Sequence, residues 1–326
     1  MGDAHTPASI LVTGGAGFIA SHILVNFVKK YPGYNFYNLD ILDYCASLKR
    51  VQEIESFPNY EFIKGDMCSM DLVDYVMKQK GIDTVMHFGA MSHVCSSFGN
   101  SLKFTHTNVY GTHVLLEASL KNNIQRFVHV STDEVYGCCV EDVAAHEETS
   151  VLDPTNPYAA TKAGAEFLVK SYARSFNLPV VISRGNNVFG NNQYPEKVIP
   201  KFIRQILDGK KMTLHGDGTN LRTFLHVDDV VSAFDILLHK GRVNSVYNIA
   251  GTTEISNRDL ADKIAGLMGK VPDDVIEYTE DRPFNDTRYF VNSEAMEALG
   301  WKETVDFDQG LKETIEWIRA NPGYFQ

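Results

Sequence analysis

The first half of the chain alternates between two hydrophobic patterns. Short runs rich in β-branched and aromatic residues predict buried strands, and the stretches between them carry apolar residues at helical spacing. Because strands that alternate with helices form parallel sheets covered on both faces, the pattern predicts an α/β fold with a doubly wound parallel sheet. The predicted strands are residues 9–13, 35–39, 60–63, 84–88, 126–130 and 179–183.

A long helix is predicted over residues 157–176, because Asn156 is a suitable N-cap and Pro157 favours the first helical position. Tyr158 and Lys162 lie one turn apart on one face of this helix. Beyond Arg184 the pattern becomes less regular, with loops rich in Asn, Gly and Pro. We therefore expect a large domain of residues 1–185 with a returning segment, 226–249, and a smaller interleaved C-terminal lobe of residues 186–225 and 250–326.

Charge and composition narrow the class of protein. The 326 residues include 30 Lys and Arg against 41 Asp and Glu, and the net charge of −11 disfavours binding to nucleic acid or anionic membranes. The five cysteines show no C-x-x-C spacing, so we expect no disulfide framework, no metal site and a reducing compartment. No apolar run approaches the ~20 residues of a membrane span, and we expect no signal peptide before the first predicted strand. The expected location is the cytoplasm.

The turn between the first predicted strand and helix contains Gly14 and Gly17. Glycine allows the backbone to approach a pyrophosphate closely, and the following helix N-terminus presents free N–H groups to it. Asp40 ends the second predicted strand, 26 residues after Gly14, where it can accept hydrogen bonds from both adenosine ribose hydroxyls. Since a carboxylate there would repel a 2′-phosphate, the pattern predicts NAD rather than NADP. The alternative interpretation is a tight turn followed by a loop aspartate.

Tyr158 and Lys162 form a Y-x-x-x-K pair downstream of Thr132. Removing an alcohol proton while a hydride leaves the same carbon needs a base near neutral pH, and an unperturbed tyrosine, with a pKa of about 10, is too weakly acidic for this. An ammonium group one helical turn away is expected to lower the pKa of Tyr158 and to hold the nicotinamide ribose. A surface pair on an amphipathic helix is the alternative.

Three motifs together resemble the extended short-chain dehydrogenase/reductase family, and within it the nucleotide-glucose 4,6-dehydratases. They are the Y-x-x-x-K pair, a G-x-x-G-x-x-A turn in which Ala20 replaces the usual third glycine, and Thr132-Asp133-Glu134. The resemblance implies that Tyr158 takes the proton of the sugar 4-hydroxyl, which Thr132 orients. It further implies that Glu134 removes the C5 proton while Asp133 protonates the departing 6-hydroxyl. An acidic turn after a strand is the alternative for the two carboxylates.

The resemblance covers nearly the whole chain and implies a Rossmann-type NAD-binding domain followed by a sugar-nucleotide-binding lobe. Segments that follow the family's order are residues 90–94, 108–112, 184–187, 193–200, 216–218, 247–249 and 281–283. The expected cofactor contacts are Gly14, Gly17, Phe18, Ile19, Asp40, Asp66, Ala90, Tyr158 and Lys162. The expected substrate contacts are Ser92, His93, Asn187, Lys197, Arg222, Asn257 and Arg282, of which the two arginines suit a diphosphate.

Several departures from the bacterial dTDP-glucose enzymes concern the nucleotide. Cys95-Ser96 stands where those enzymes commonly have Asp-Arg, residues 223–224 replace Asp-Trp, and residues 284–286 replace Gly-His-Asp. Residues 43–47 and 282–289 are more similar to the eukaryotic-type branch, which includes UDP-glucose 4,6-dehydratases of rhamnose synthesis. UDP-glucose is therefore favoured over dTDP-glucose, although one methyl group gives only ~1 to 3 kcal/mol of discrimination.

Other functions remain open. A sugar-nucleotide 4-epimerase shares the fold, the tyrosine and NAD, but Asp133 and Glu134 argue against it, and Asp133 also argues against a decarboxylating UDP-xylose synthase. A non-catalytic NAD-binding sensor would keep the fold and lose the chemistry. Apolar residues on the helices at 108–120 and 157–176, which pair with symmetry mates in related enzymes, predict a homodimer.

Overall fold

A computed structural model describes residues 5–139, 145–281 and 284–324. Seven strands form one sheet in which every neighbouring pair is parallel. The strands of the described residues are β1 (Ser9–Thr13), β2 (Asn35–Asp40), β3 (Tyr60–Lys64), β4 (Thr84–His87), β5 (Arg126–Thr132), β6 (Val180–Gly185), β7 (Asn187–Phe189), β8 (Met212–His215), β9 (Leu221–His226), β10 (Ser245–Ile249), β11 (Thr253–Ser256) and β12 (Ile276–Thr279).

The large sheet has the order β10-β6-β5-β4-β1-β2-β3, so the chain changes direction across the sheet between β1 and β4. Loops that leave these two neighbouring strands diverge, and they leave a crevice at the carboxyl ends of the strands, where ligands bind in folds of this kind. The predicted α/β fold with a doubly wound parallel sheet is confirmed.

The described residues contain twelve α-helices, of which some cover the two faces of this sheet and others pack against the smaller strands. They are α1 (Phe18–Lys30), α2 (Met70–Lys80), α3 (Val94–Gly99), α4 (Ser101–Phe104), α5 (Gly111–Lys121), α6 (Pro157–Phe176), α7 (Val198–Leu207), α8 (Val227–Lys240), α9 (Asn257–Leu267), α10 (Pro272–Val275), α11 (Glu294–Ala298) and α12 (Phe307–Ala320). Apolar residues of α1 and α8 form one core with the sheet, and those of α2, α5 and α6 form a second. None of the helices in the described ranges has the length and apolar character needed to cross a bilayer.

The remaining strands form two small sheets, with the orders β11-β9-β7 and β12-β8. A third core joins them to α7, α9 and α12, and its apolar residues fall between Phe189 and Ile318. The predicted residue boundaries of the two domains stay a prediction.

The predicted elements agree closely with those observed. β1 and α6 have the predicted bounds, and the side chain of Asn156 caps α6 by accepting a hydrogen bond from the Ala159 N–H at 2.9 Å. β5 runs two residues further than predicted, because its pairing with β6 continues as far as Thr132 opposite Gly185. The hydroxyl of Thr132 therefore lies at the carboxyl end of the sheet.

One helical segment was not predicted. Residues Thr105–Tyr110 form a π-helix that joins α4 to α5 within a continuous helical run. Such segments accommodate one extra residue in a helix and occur frequently at functional sites.

Candidate active site

The glycine turn between β1 and α1 brings the backbone close to the neighbouring strand loop. Gly14 has a φ of +72°, and a β-carbon there would lie 2.8 Å from the Cα of Gly89, which follows β4. α1 begins at Phe18 with Gly17 as its N-cap, and no side chain caps this helix end. The first amides of α1 are thus available to an anion at the crevice.

Asp40 is the last residue of β2 and holds the glycine turn in place. One carboxylate oxygen accepts a hydrogen bond from the Ala16 N–H at 2.9 Å, and the other accepts one from the Leu42 N–H at 2.7 Å. Burial raises the pKa of Asp40, and the two backbone hydrogen bonds act in the opposite direction. The carboxylate therefore has a structural contribution that the sequence did not reveal, in addition to the predicted contact with a ribose.

The two adjacent acids lie in a short 3₁₀ turn, Asp133–Tyr136, that follows β5 directly. Thr132 caps the turn, with its Oγ1 accepting a hydrogen bond from the Glu134 N–H at 3.3 Å. Gly137 ends it with a φ of +82°, and a β-carbon there would lie 2.1 Å from the carbonyl oxygen of Asp153. A larger residue at 137 would displace the turn that carries both acids.

Asp133 is almost completely buried, with 4% of its surface exposed. Its carboxylate accepts hydrogen bonds from Asn186 Nδ2 at 2.6 Å and from Thr132 Oγ1 at 3.2 Å. Burial and then the negative charge of Glu134 raise the pKa of Asp133 to about 7, despite these hydrogen bonds. The carboxyl group can therefore act as a proton donor near neutral pH.

Glu134 is partly exposed, but its carboxylate lies in the interior. Oε2 accepts a hydrogen bond from Asn156 Nδ2 at 3.0 Å and lies 3.5 Å from the hydroxyl of Tyr289. Burial raises the pKa of Glu134, whereas the Asn156 hydrogen bond and the nearby positive charges lower it. The environments of both acids are thus less polar than water.

Tyr158 and Lys162 project from α6 toward this turn. Lys162 donates a hydrogen bond to the carbonyl oxygen of Val130 at 2.5 Å, and burial lowers its pKa to about 8. Burial and the charges of Glu134 and Asp133 raise the pKa of Tyr158, while a hydrogen bond with Thr132 acts in the opposite direction. The predicted lowering of the Tyr158 pKa is therefore wrong, because burial and the two neighbouring carboxylates raise it.

A buried ion pair includes Glu166, which lies one helical turn after Lys162 on α6. Arg184 of β6 donates to both oxygens of Glu166 of α6, with Nη2 to Oε2 at 2.7 Å and Nε to Oε1 at 3.0 Å. Burial favours the neutral form of Glu166, but Arg184 outweighs this and lowers its pKa. Because the negative charge of Glu166 raises the pKa of Lys162, the ion pair favours the protonated form of the lysine.

Asn108 of the π-helix connects the loop after β4 with α6. Its side chain accepts a hydrogen bond from Met91 N at 2.8 Å and donates to Met91 O at 3.0 Å and to Thr161 Oγ1 at 2.9 Å. Thr161 immediately precedes Lys162. One buried amide thus fixes the distance between the predicted cofactor loop and the tyrosine-lysine helix.

The predicted substrate contacts lie on several strands, helix ends and loops. Arg222 is the best placed of them, since its guanidinium stacks on the ring of Tyr289 at 4.8 Å and its charge lowers the pKa of both Asp133 and Glu134. Lys197 donates to the carbonyl oxygen of Ser92 at 2.9 Å, and His93 lies 3.7 Å from the Glu196 carboxylate. The loop after β4 and the loop before α7 therefore contact each other across the crevice.

The other predicted contacts are more dispersed. Asn187 begins β7 and Asn257 begins α9. Asp66 is exposed and accepts a hydrogen bond from the Cys68 N–H at 2.8 Å, whereas Ala90 is partly buried in the loop after β4. Arg282 lies outside the described residues. Across residues 5–139, 145–281 and 284–324, no cluster of His, Cys, Asp or Glu has the composition of a metal site.

Four residues of the site were not among the predicted ones. Asn156 and Asn186 donate to Glu134 and Asp133, and Tyr289 with Asp286 lies beside Glu134. The two asparagines stand next to motifs that the sequence did reveal, so their proximity was the available signal. The contact of Tyr289 with Glu134 joins positions 155 residues apart, and no local pattern indicates it.

A protein-family model described as GDP-mannose 4,6 dehydratase matches residues 11–314. The chain belongs to this family, within the extended short-chain dehydrogenases/reductases, as its motifs predicted. It is 52% identical over 323 residues to a trifunctional UDP-glucose 4,6-dehydratase/UDP-4-keto-6-deoxy-D-glucose 3,5-epimerase/UDP-4-keto-L-rhamnose-reductase of Arabidopsis thaliana, which covers 98% of this chain and 49% of the relative. The chain thus spans about half the length of this curated relative.

Two further proteins are similar over most of both chains. A dTDP-D-glucose 4,6-dehydratase of Mus musculus is 46% identical over 317 residues, covering 96% of this chain and 89% of the relative. The crystal structure of a dTDP-glucose 4,6-dehydratase from Streptomyces venezuelae with NAD bound has a TM-score of 0.94 and 37% identity, and the match covers 97% of this chain and 98% of that one.

Proposed function

We propose that this protein is an NAD-dependent 4,6-dehydratase that converts a nucleotide-activated glucose into its 4-keto-6-deoxy derivative. The single observation that carries the proposal is the pair of buried acids beside Tyr158, of which Asp133 has a pKa raised to about 7. An alcohol oxidation alone needs the tyrosine and no such pair, whereas elimination of water needs a base and an acid. The names of the Arabidopsis and mouse relatives support the same reaction.

The residues at the crevice fit NAD. The close approach of Gly14 to the next strand loop leaves no room for a side chain, the uncapped start of α1 suits a pyrophosphate, and Asp40 suits ribose hydroxyls. Bound NAD would accept the hydrogen of C4 as hydride and later return it to C6. Its positive nicotinamide ring would also oppose the two carboxylates that raise the pKa of Tyr158.

Different residues of the chain carry out the successive proton transfers. Tyr158 takes the proton of the sugar 4-hydroxyl. Thr132, which is hydrogen-bonded to Tyr158, orients the oxygen of that 4-hydroxyl. The resulting ketone makes the C5 hydrogen acidic, and Glu134 removes it. Asp133, which Asn186 holds in place and whose pKa burial raises to about 7, donates a proton to the departing 6-hydroxyl. Lys162 holds the helix and the nicotinamide ribose in position.

We propose UDP-glucose as the preferred substrate over dTDP-glucose. The identity to the Arabidopsis UDP-glucose relative is 52%, against 46% for the mouse dTDP-glucose relative. Arg222 and Lys197 face the crevice from the smaller lobe and supply positive charge for the diphosphate. Ser92, His93, Asn187, Asn257 and Arg282 complete the proposed sugar-nucleotide contacts.

The assembly and cellular role are also proposals. Leu102 and Phe167 expose 83% and 61% of their surface near the π-helix and on α6, which supports a homodimer through these helices. The five free cysteines suit the reducing cytoplasm. The name of the Arabidopsis relative combines dehydratase, epimerase and reductase steps that end in rhamnose, and we place the product of this protein in rhamnose synthesis.

The test is turnover of UDP-glucose and dTDP-glucose by the purified chain, with the keto sugar measured by mass spectrometry. Glu134→Gln keeps the size of the side chain but removes the base, so oxidation at C4 continues, NADH absorbance accumulates and elimination stalls. Tyr158→Phe blocks the earlier step and leaves NAD oxidised. Epimerised hexose without loss of water would favour the epimerase alternative. No turnover of either sugar nucleotide would favour the sensor.

A further inference from the structure

Glu134 has a neighbour, Tyr289, that the reaction described above does not use. The hydroxyl of Tyr289 lies between two carboxylates, in a close hydrogen bond with Asp286 and 3.5 Å from Glu134 Oε2. Both residues are buried, with 6% of Tyr289 and 3% of Asp286 exposed. Buried polar chains of this kind have few competing partners, so their hydrogen bonds determine where a proton can go.

The position of Tyr289 is well supported. The guanidinium of Arg222 stacks on its ring at 4.8 Å and also donates to the carbonyl oxygen of Asp286 at 2.9 Å. The hydroxyl of Thr155 donates to both carboxylate oxygens of Asp286, at 2.8 and 2.9 Å. Thr155 is partly exposed, so the series Glu134, Tyr289, Asp286 and Thr155 leads from the interior toward solvent.

A phenol donates one proton and can accept another. While Glu134 is ionised, Tyr289 can serve only one of its two carboxylate neighbours, and the close contact shows that it serves Asp286. Once Glu134 carries a proton, it can donate to the phenol oxygen while the phenol still donates to Asp286. The arrangement is therefore complementary to protonated Glu134, the form that follows removal of the C5 proton.

We propose that Tyr289 and Asp286 form a proton relay that exchanges the proton of Glu134 with water during each turnover. The O–H bond of protonated Glu134 breaks as one forms on Tyr289, the proton of Tyr289 passes to Asp286, and Asp286 exchanges it with water near Thr155. The reverse sequence returns a solvent proton to Glu134 and from there to C5. Asn156, the other partner of the Glu134 side chain, donates through an amide that does not carry a proton onward. This relay rests on the proposed dehydratase function.

The test uses UDP-glucose carrying deuterium at C5, turned over in ordinary water. The product is reduced with borohydride at short times, before its ketone exchanges in solution, and deuterium at C5 is measured by mass spectrometry. The parent chain is expected to lose most of the label. Tyr289→Phe removes the relay hydroxyl and Asp286→Asn keeps the shape but cannot be protonated, so both should retain several-fold more label. Because retention is a ratio for each product molecule, a loss of folded enzyme does not change it.

Tyr31→Phe is the matched control, since the hydroxyl of Tyr31 also donates to an aspartate, Asp235, at 2.6 Å, but at the far end of α1. It should retain as little label as the parent. In Tyr289→Phe, kcat should fall by less than the ~100- to 10,000-fold typical of losing a general acid or base, because Glu134 remains. Equal loss of label by the parent and both relay variants would overturn the relay alone, as would full retention by the parent. Absence of keto sugar from the parent would overturn the proposed function and the relay with it.

Discussion

Replacing Asp133 with asparagine tests the electrostatics of the acid pair independently of catalysis. The side chain keeps its size and can still accept the hydrogen bond of Asn186, but it no longer ionises. In the folded protein the pKa of Asp133 is raised from its usual 3.8 to about 7. The folded state thus holds a proton that the unfolded chain has released between these values, and the stability of the parent falls as pH rises through this window.

The magnitude follows from the pKa. At ~1.36 kcal/mol for each tenfold change in proton affinity, the difference for Asp133 corresponds to ~4 kcal/mol of folding free energy once both states are ionised. Asp133→Asn removes this cost. Near pH 4 the ionisation of Asp133 should contribute little to the difference in the free energy of unfolding between the two proteins. Above that pH the variant should become progressively more stable than the parent, up to about pH 8.

The assay is urea unfolding of both proteins without added ligand at intervals from pH 5 to pH 9. Asp235→Asn is the control of opposite sign, because hydrogen bonds from His239, Lys30 and Tyr31 outweigh burial and lower the pKa of Asp235. That variant should be less stable than the parent throughout the range, and more so at pH 5 than at pH 9, because Asp235 also raises the pKa of His239 and this stabilisation is lost as pH rises. If the difference between Asp133→Asn and the parent is as large at pH 5 as at pH 9, the reasoning about Asp133 is wrong.

Three further predictions concern the cofactor turn and the assembly. Asp40→Ala should weaken NAD binding by ~1.5 to 3 kcal/mol for each lost hydrogen bond to the carboxylate, measured by calorimetry, and unchanged affinity would leave Asp40 with only its structural contacts to the glycine turn. Gly14→Ala should abolish NAD binding, whereas Gly81→Ala, at a similar positive φ but in open space, should cost only the ~1 to 3 kcal/mol of backbone strain in unfolding experiments. Phe167→Glu should give a monomer mass in solution scattering, whereas Tyr75→Glu, on α2, should leave a dimer; a monomeric parent would contradict both expectations.

The sequence predicted most of the large sheet because its central strands, β1, β4, β5 and β6, are buried on both faces. Such strands appear in the sequence as continuous apolar runs. The start of α6 and its N-cap, Asn156, follow local rules that act over a few residues. The end of β5 was placed too early, since its length depends on the pairing of Thr132 with Gly185, a residue of another strand. Local patterns therefore predicted the elements, and tertiary pairing determined where several of them ended.

The features of the candidate site likewise fall into those that local sequence predicted and those that depend on tertiary structure. Thr132, Glu134 and Tyr158 belong to short motifs, and the resemblance of those motifs to a known family implied their roles. The direction of the Tyr158 pKa could not be inferred, because it depends on how deeply the phenol is buried and on which charges lie nearest. Tyr289 gave no signal, since only folding brings it to Glu134.

The π-helix at Thr105–Tyr110 has a consequence for how this region tolerates insertions and deletions. Each residue of a regular helix turns the side chains by ~100°, so removing one residue from this wide turn would convert it to ordinary α geometry and rotate Asn108 away from Met91 and Thr161. The flanking helices, α4 and α5, would keep their orientation. A shortened homologue would therefore keep its fold and its helix contacts but lose the amide that spaces the two halves of the crevice.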